Sequence, residues 1–178
     1  MRTATRFDQR MYTIMNRREG APLFATVGRR RALVAAHVVL TAASAAAWLA
    51  VVVGDVYAAL FAMPALLLPW MVATGAINAA TRGLLELRGR MLDERQLAER
   101  DRVRAIAHRV TTTLLLAGTA GYGALLWATE VRADATLGFT VLFAAFVTHW
   151  LMPLWVAGLR AEDDIRGDAD DPHAADLG

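Results

Sequence analysis

The sequence predicts an all-α fold: a four-helix transmembrane bundle, up-down-up-down, preceded by an amphipathic N-terminal cytoplasmic segment. Three observations carry that expectation. The apolar residues collect into four long runs, with nearly all the charge between them. Each run can cross a hydrocarbon core of roughly 30 Å, which needs about 20 helical residues. The arginines crowd into alternate linkers, which gives the runs one direction.

Composition agrees with this reading. The 178 residues are 56% hydrophobic, with a mean hydropathy of +0.35, and the length suits one domain. All 19 basic residues are Arg, a bias that fits a GC-rich genome. Cysteine is absent, which excludes disulfides, thiolate metal sites and a Cys nucleophile. In a soluble protein a pI near 9.6 would suggest nucleic acid. Here the arginines flank apolar runs, so the bilayer and its anionic headgroups are the expected partners, not nucleic acid.

Residues 1–31 form a basic segment. Phe7, Met11, Ile14 and Met15 recur at helical spacing, flanked by Arg6, Arg10 and Arg17. That pattern describes either a short interfacial helix reaching anionic headgroups or a basic arm obeying only the positive-inside rule. Glu19-Gly20-Ala21-Pro22 would end such a helix, and Arg29-Arg30-Arg31 leads into the membrane. The transmembrane domain is expected over 32–160. Its first span, 32–53, has only His37, Thr41 and Ser44 as polar side chains and reads as a signal anchor. Gly54-Asp55 then forces a hairpin into span 56–80, where Pro64 and Pro69 are expected to kink the helix.

The loop 81–109 contains Asp93 and Gln96 at capping-box spacing. A helix starting there should run into span 110–128, projecting two or three turns beyond it. Glu99 with Arg102 and Asp101 with Arg104 are spaced for ion pairs. Val103, Ile106 and Val110 carry an apolar stripe towards the membrane. A short loop, 129–136, leads to span 137–159, which contains Pro153. The tail 161–178 is acidic and poor in apolar residues, so it is expected to be disordered.

Orientation follows from the linkers. Eight arginines precede the first span, eight lie between the second and third, and Arg160 and Arg166 follow the fourth. The other two linkers hold only Arg132. Both termini are therefore expected in the cytoplasm of a bacterium, with the chain multi-pass in its cytoplasmic membrane. Trp48, Tyr57 and Trp127 fall at the outer helix ends, as an aromatic belt requires.

Chemistry is harder to find. Ser44 is the sole serine, and no His or acid stands near it at useful spacing. No P-loop, dinucleotide fingerprint or HExxH motif occurs, so neither catalytic residues nor a metal site are assigned. The small residues from Gly118 to Gly123 lie within the third span and invite close approach of another helix. Proton-coupled transport needs an ionisable group at membrane depth, and no span holds an Asp, Glu or Arg there. His37 and His149 are the ionisable groups within spans. Two histidines could clamp a b-type haem, although they count to depths of about 7 Å and 15 Å from the cytoplasmic side. A hydrogen-bonded neutral His is the other reading.

The stretch Leu92-Asp93-Glu94-Arg95-Gln96, with Arg100-Asp101-Arg102 after it, is similar to a loop of small four-span actinobacterial membrane proteins. That resemblance covers the loop and its flanking spans and implies the architecture without an activity. The expected function is a non-enzymatic interaction or accessory protein. Arg6, Arg10, Arg17, Arg29, Arg30, Arg31, Arg95, Arg100, Arg102 and Arg104 would contact lipid headgroups, a membrane-protein partner or a second copy. The alternatives are a haem-binding redox protein using His37 and His149, and a small-molecule transporter with a cavity beside Pro64 and Pro69.

Overall fold

The computed structural model describes residues 5–15, 21–52, 54–128 and 135–161. Six helices follow in order: α1 (Arg6–Met15), α2 (Ala21–Phe24), α3 (Val27–Val52), α4 (Ala62–Ala80), α5 (Glu94–Ala128) and α6 (Ala135–Arg160). Single 3-10 segments, Tyr57–Phe61 and Gly89–Met91, precede α4 and α5. Among the described residues there is no strand. The tail from 162 and the loop 129–134 lie outside the described residues.

The helix starts have identifiable causes. Thr5 and Asp8 form a reciprocal capping box on α1. Asp8 Oδ2 accepts from the Thr5 backbone N–H at 2.8 Å and its hydroxyl at 2.7 Å, while Asp8 N–H donates to Thr5 Oγ1 at 3.3 Å. Thr26 accepts from the Arg29 N–H at 3.3 Å. The first long helix therefore begins at Val27, earlier than the apolar run, and takes Arg29, Arg30 and Arg31 into its first turns. The box expected at Asp93 and Gln96 is present, with reciprocal bonds of 2.7 and 3.1 Å. From it α5 runs 35 residues without a break. At 1.5 Å per residue that is about 52 Å. Its part before Val110 makes about four turns, longer than the two or three expected.

The second span departs from expectation at its start. It opens as the 3-10 segment Tyr57–Phe61, and Pro64 then falls in the first turn of α4. A proline there loses no intrahelical bond, because the first amides of a helix have no partner. Pro64 marks a helix start, whereas Pro69 lies inside α4 and Pro153 inside α6. The preceding hairpin needs glycine: a Cβ at Gly54 would stand 2.9 Å from the Ala50 carbonyl oxygen.

Packing is arranged around α6. One of its faces, Leu151 and Leu154, joins Val34 of α3 and Ile77 of α4. Another, Met152, Val156 and Ala157, joins Val103 and Ala107 of α5. Gly158 permits this crossing, since a Cβ there would meet Val34 Cγ2 at 2.8 Å and Ile77 Cγ2 at 2.9 Å. Glu99 of α5 fixes the register by pairing with Arg160 at 2.8 Å. At the other end of the bundle the helices present their apolar side chains outwards. On α5, residues 112–121 are all exposed, and nothing lies within 4 Å of a Cβ built at Gly118, Gly121 or Gly123. Among the described residues, no helix takes up the close approach that those small residues allow.

Candidate functional site

Inside the helices, α3, α4 and α6 meet at His37, which is fully enclosed. The Trp155 indole N–H donates to His37 Nδ1 at 2.9 Å. An indole nitrogen can only donate, so Nδ1 accepts and the ring proton sits on Nε2. Nε2–H points at Thr74 Oγ1, 2.8 Å away, and that hydroxyl donates onward to the Trp70 carbonyl at 2.9 Å. The Trp70 indole donates to Thr41 Oγ1 at 2.9 Å, and Thr41 donates to the His37 carbonyl at 2.8 Å. The Trp70 and His37 ring centroids stand 4.8 Å apart. Five polar groups on three helices thus satisfy one another in a closed circuit. In a hydrocarbon interior this matters, because an unpaired polar group has no water to turn to.

The circuit bears on haem. His37 would have to surrender a bonded nitrogen to ligate iron, and His149 is exposed on the outside of α6. The two imidazoles therefore occupy different environments in this structure, His37 enclosed among three helices and His149 exposed on α6. Ser44 back-bonds to the Leu40 carbonyl at 2.9 Å, a bond within its own helix.

A second constellation lies at the arginine-rich end. Asp8 of α1 is buried at 2% exposure. Besides its Thr5 donors, its carboxylate is bonded by Arg90, and the Arg88 guanidinium approaches to 3.6 Å. The Thr5 amide and hydroxyl, with Arg90 adding to them, hold the carboxyl at about 2, below its ordinary 3.8. Arg88 also lies over the Phe7 ring, 5.7 Å from its centroid. A Cβ at Gly83 would meet Met15 Cγ at 2.8 Å. So α1 is held on the segment between α4 and α5 through Asp8, Phe7 and Met15. The apolar face read from the sequence is divided: Met11 and Met15 are partly covered, and Phe7 and Ile14 are exposed.

The expected headgroup arginines fare differently. Arg6, Arg10, Arg31 and Arg104 are exposed, as is Arg95. Arg29 is exposed and donates to the Pro22 carbonyl at 2.6 Å. Arg102 is exposed and pairs with Glu99 at 3.7 Å, but no ion pair joins Asp101 to Arg104. Arg30 is a correction. It is buried and donates to the Phe24 carbonyl, serving the chain instead of a headgroup. Arg100 is half-buried, reaches the Leu87 carbonyl at 3.4 Å, and keeps a buried Nε without a partner. Arg17 lies outside the described residues.

Sequence reasoning missed Trp155, Thr74 and Asp8. Two signals could have found Thr74 and Asp8, and none pointed to Trp155. His37 with Thr41, and Trp70 with Thr74, are polar pairs at i,i+4 inside otherwise apolar runs. Asp8 stands three residues after Thr5, at capping-box spacing.

Four of the helices are long and apolar enough to cross a membrane, within Val27–Val52, Tyr57–Ala80, Glu94–Ala128 and Gly138–Arg160. Together with the enclosed polar circuit, they define the class: a multi-pass integral membrane protein. Compared with protein-family models, curated proteins and solved structures, the chain matches none.

Proposed function

We propose that this is a non-enzymatic interaction protein of the bacterial cytoplasmic membrane, whose arginine-rich end faces the cytoplasm and binds anionic phospholipid headgroups. The supporting observation is a set of exposed guanidinium groups. Among the described residues Arg6, Arg10, Arg31, Arg82, Arg104 and Arg109 are exposed and have no carboxylate partner. A guanidinium presents paired donors that match phosphate oxygens, and it stays charged at every physiological pH. Cytoplasmic leaflets carry the complementary negative charge.

Native mass spectrometry of the protein purified gently from its own membranes tests this reading. The expected spectrum shows anionic phospholipid retained above its bulk proportion, reduced several-fold when Arg6, Arg10 and Arg104 are replaced together by Gln. Retention at bulk composition, indifferent to those changes, would sink it. A mass increment of one haem would restore the redox alternative, and a stoichiometric protein would identify an accessory role.

A further inference from the structure

The clasp between α1 and the segment before α5 has an excess of cationic groups. Arg88 and Arg90 converge on the single carboxylate of Asp8. Arg100 comes alongside them, its Nη2 3.4 Å from a Cβ built at Gly89, with an unpartnered Nε. Two guanidinium groups therefore share one carboxylate, and a third lies against the same turn without a carboxylate of its own among the described residues. We propose that Arg88, Arg90 and Arg100 form a binding site for the phosphate of an anionic lipid headgroup, which Asp8 occupies in this structure and which the lipid takes over when α1 is displaced.

The chemistry of the exchange is balanced. A phosphodiester carries one negative charge on two oxygens, like the carboxylate, but sets them tetrahedrally with two ester oxygens beside them, so guanidinium groups can approach it from more directions. Asp8 is not orphaned on leaving, because the capping bonds from the Thr5 amide and hydroxyl belong to α1 itself and travel with it. The helix also has somewhere to go. Phe7 is 60% exposed and Ile14 45% exposed, and Arg6 and Arg10 stand beside them on the helix. An apolar edge flanked by arginines is the pattern that beds into a headgroup boundary. Release of the covered Met11 and Met15 widens that edge. In the docked state the tether keeps Asp8 at a high effective concentration, so only a phosphate dense at the interface competes well. That favours a lipid over dissolved phosphate.

This inference rests on the headgroup-binding reading, and its test separates the two. The cysteine-free chain accepts spin labels at Thr13→Cys and Asp101→Cys, both exposed positions. In nanodiscs of phosphatidylcholine the full-length protein should give one docked distance. In an equal mixture with phosphatidylglycerol that distance should be lost from most molecules in favour of a longer one. Asp8→Asn, or Arg88→Gln with Arg90→Gln, should undock α1 in phosphatidylcholine alone. Arg100→Gln, which leaves the Asp8 pairs in place, should instead keep the docked distance and weaken the response to phosphatidylglycerol. A docked distance indifferent to phosphatidylglycerol, in a protein that still retains that lipid by mass spectrometry, overturns the clasp and leaves the broader reading standing. If the lipid is neither retained nor felt, both fall. Undocking by millimolar inorganic phosphate in phosphatidylcholine overturns the assignment to lipid.

Discussion

Two side chains show how completely polar matching governs local structure here. His37 is tolerated in the apolar interior because both ring nitrogens and the groups they meet are bonded in a circuit. Trp155→Phe keeps an aromatic ring but removes the indole N–H with part of the ring volume, leaving Nδ1 of His37 without a donor. It should cost about 1 kcal/mol, since interhelical hydrogen bonds in membranes are worth less than buried bonds in water-soluble cores. A double-mutant cycle with His37→Leu, read by reversible unfolding in bicelles, should show that the two losses are not additive. Strict additivity would mean that the circuit is not energetically coupled. Asp8 is matched in a different medium, at the water boundary. Its carboxyl is lowered from 3.8 to about 2, chiefly by the Thr5 bonds that stay with α1 and in smaller part by Arg90. Only the Arg90 share is linked to docking, and it is present above the ordinary value and lost as pH falls through the lowered one. The docked distance between labels on α1 and α5 should hold from neutrality down to about pH 4 and disappear towards about pH 2. A transition near pH 6 would show that another group governs docking.

At the scale of elements, the boundaries come from hydrogen-bonding residues and the interfaces from shape. Capping boxes at Thr5 and Asp93 start α1 and α5. Only the second was expected from the sequence, because it stands ahead of an obvious apolar run. Apolar burial does not drive helix association within lipid, whose tails are as apolar as the side chains, so close packing must supply the attraction. Gly158 therefore matters more than its size suggests. Gly158→Ala places a methyl within 3 Å of Val34 and Ile77, and overpacking of this kind costs about 1–3 kcal/mol. Gly118→Ala, facing open space on α5, should be neutral or stabilising by up to about 1 kcal/mol through helix propensity. Thermal unfolding of the two variants in the same detergent compares them directly. Equal destabilisation would show that the outer face of α5 is occupied by something outside this chain.

At the scale of the molecule, the asymmetry between its ends sets the expected topology. Arginines gather where α3 begins, α4 ends and α5 projects, whereas Tyr57 and Trp127 lie exposed at the opposite end. A reporter enzyme fused after Gly178 should be active only when it is one that works in the cytoplasm. Activity of a periplasmic reporter at that position would reverse the proposed orientation and remove the cytoplasmic leaflet from the functional reading.

The sequence by itself determined the all-α class, the number of apolar helices, their hairpin order and the long start of α5. These are one-dimensional properties: a run of apolar residues, a short turn or a cap is complete within a few neighbours. It could also name His37 as unusual, yet not supply its partners, because Thr74 and Trp155 come from helices whose rotation about their axes no local pattern specifies. Tertiary structure alone decided that α6 occupies the middle of the bundle, that Arg30 turns inwards, and that Asp8 closes on Arg88 and Arg90. Each of these depends on which faces meet, and in an interior of nearly uniform hydrophobicity that choice is made by shape and by the need to pair every buried polar atom.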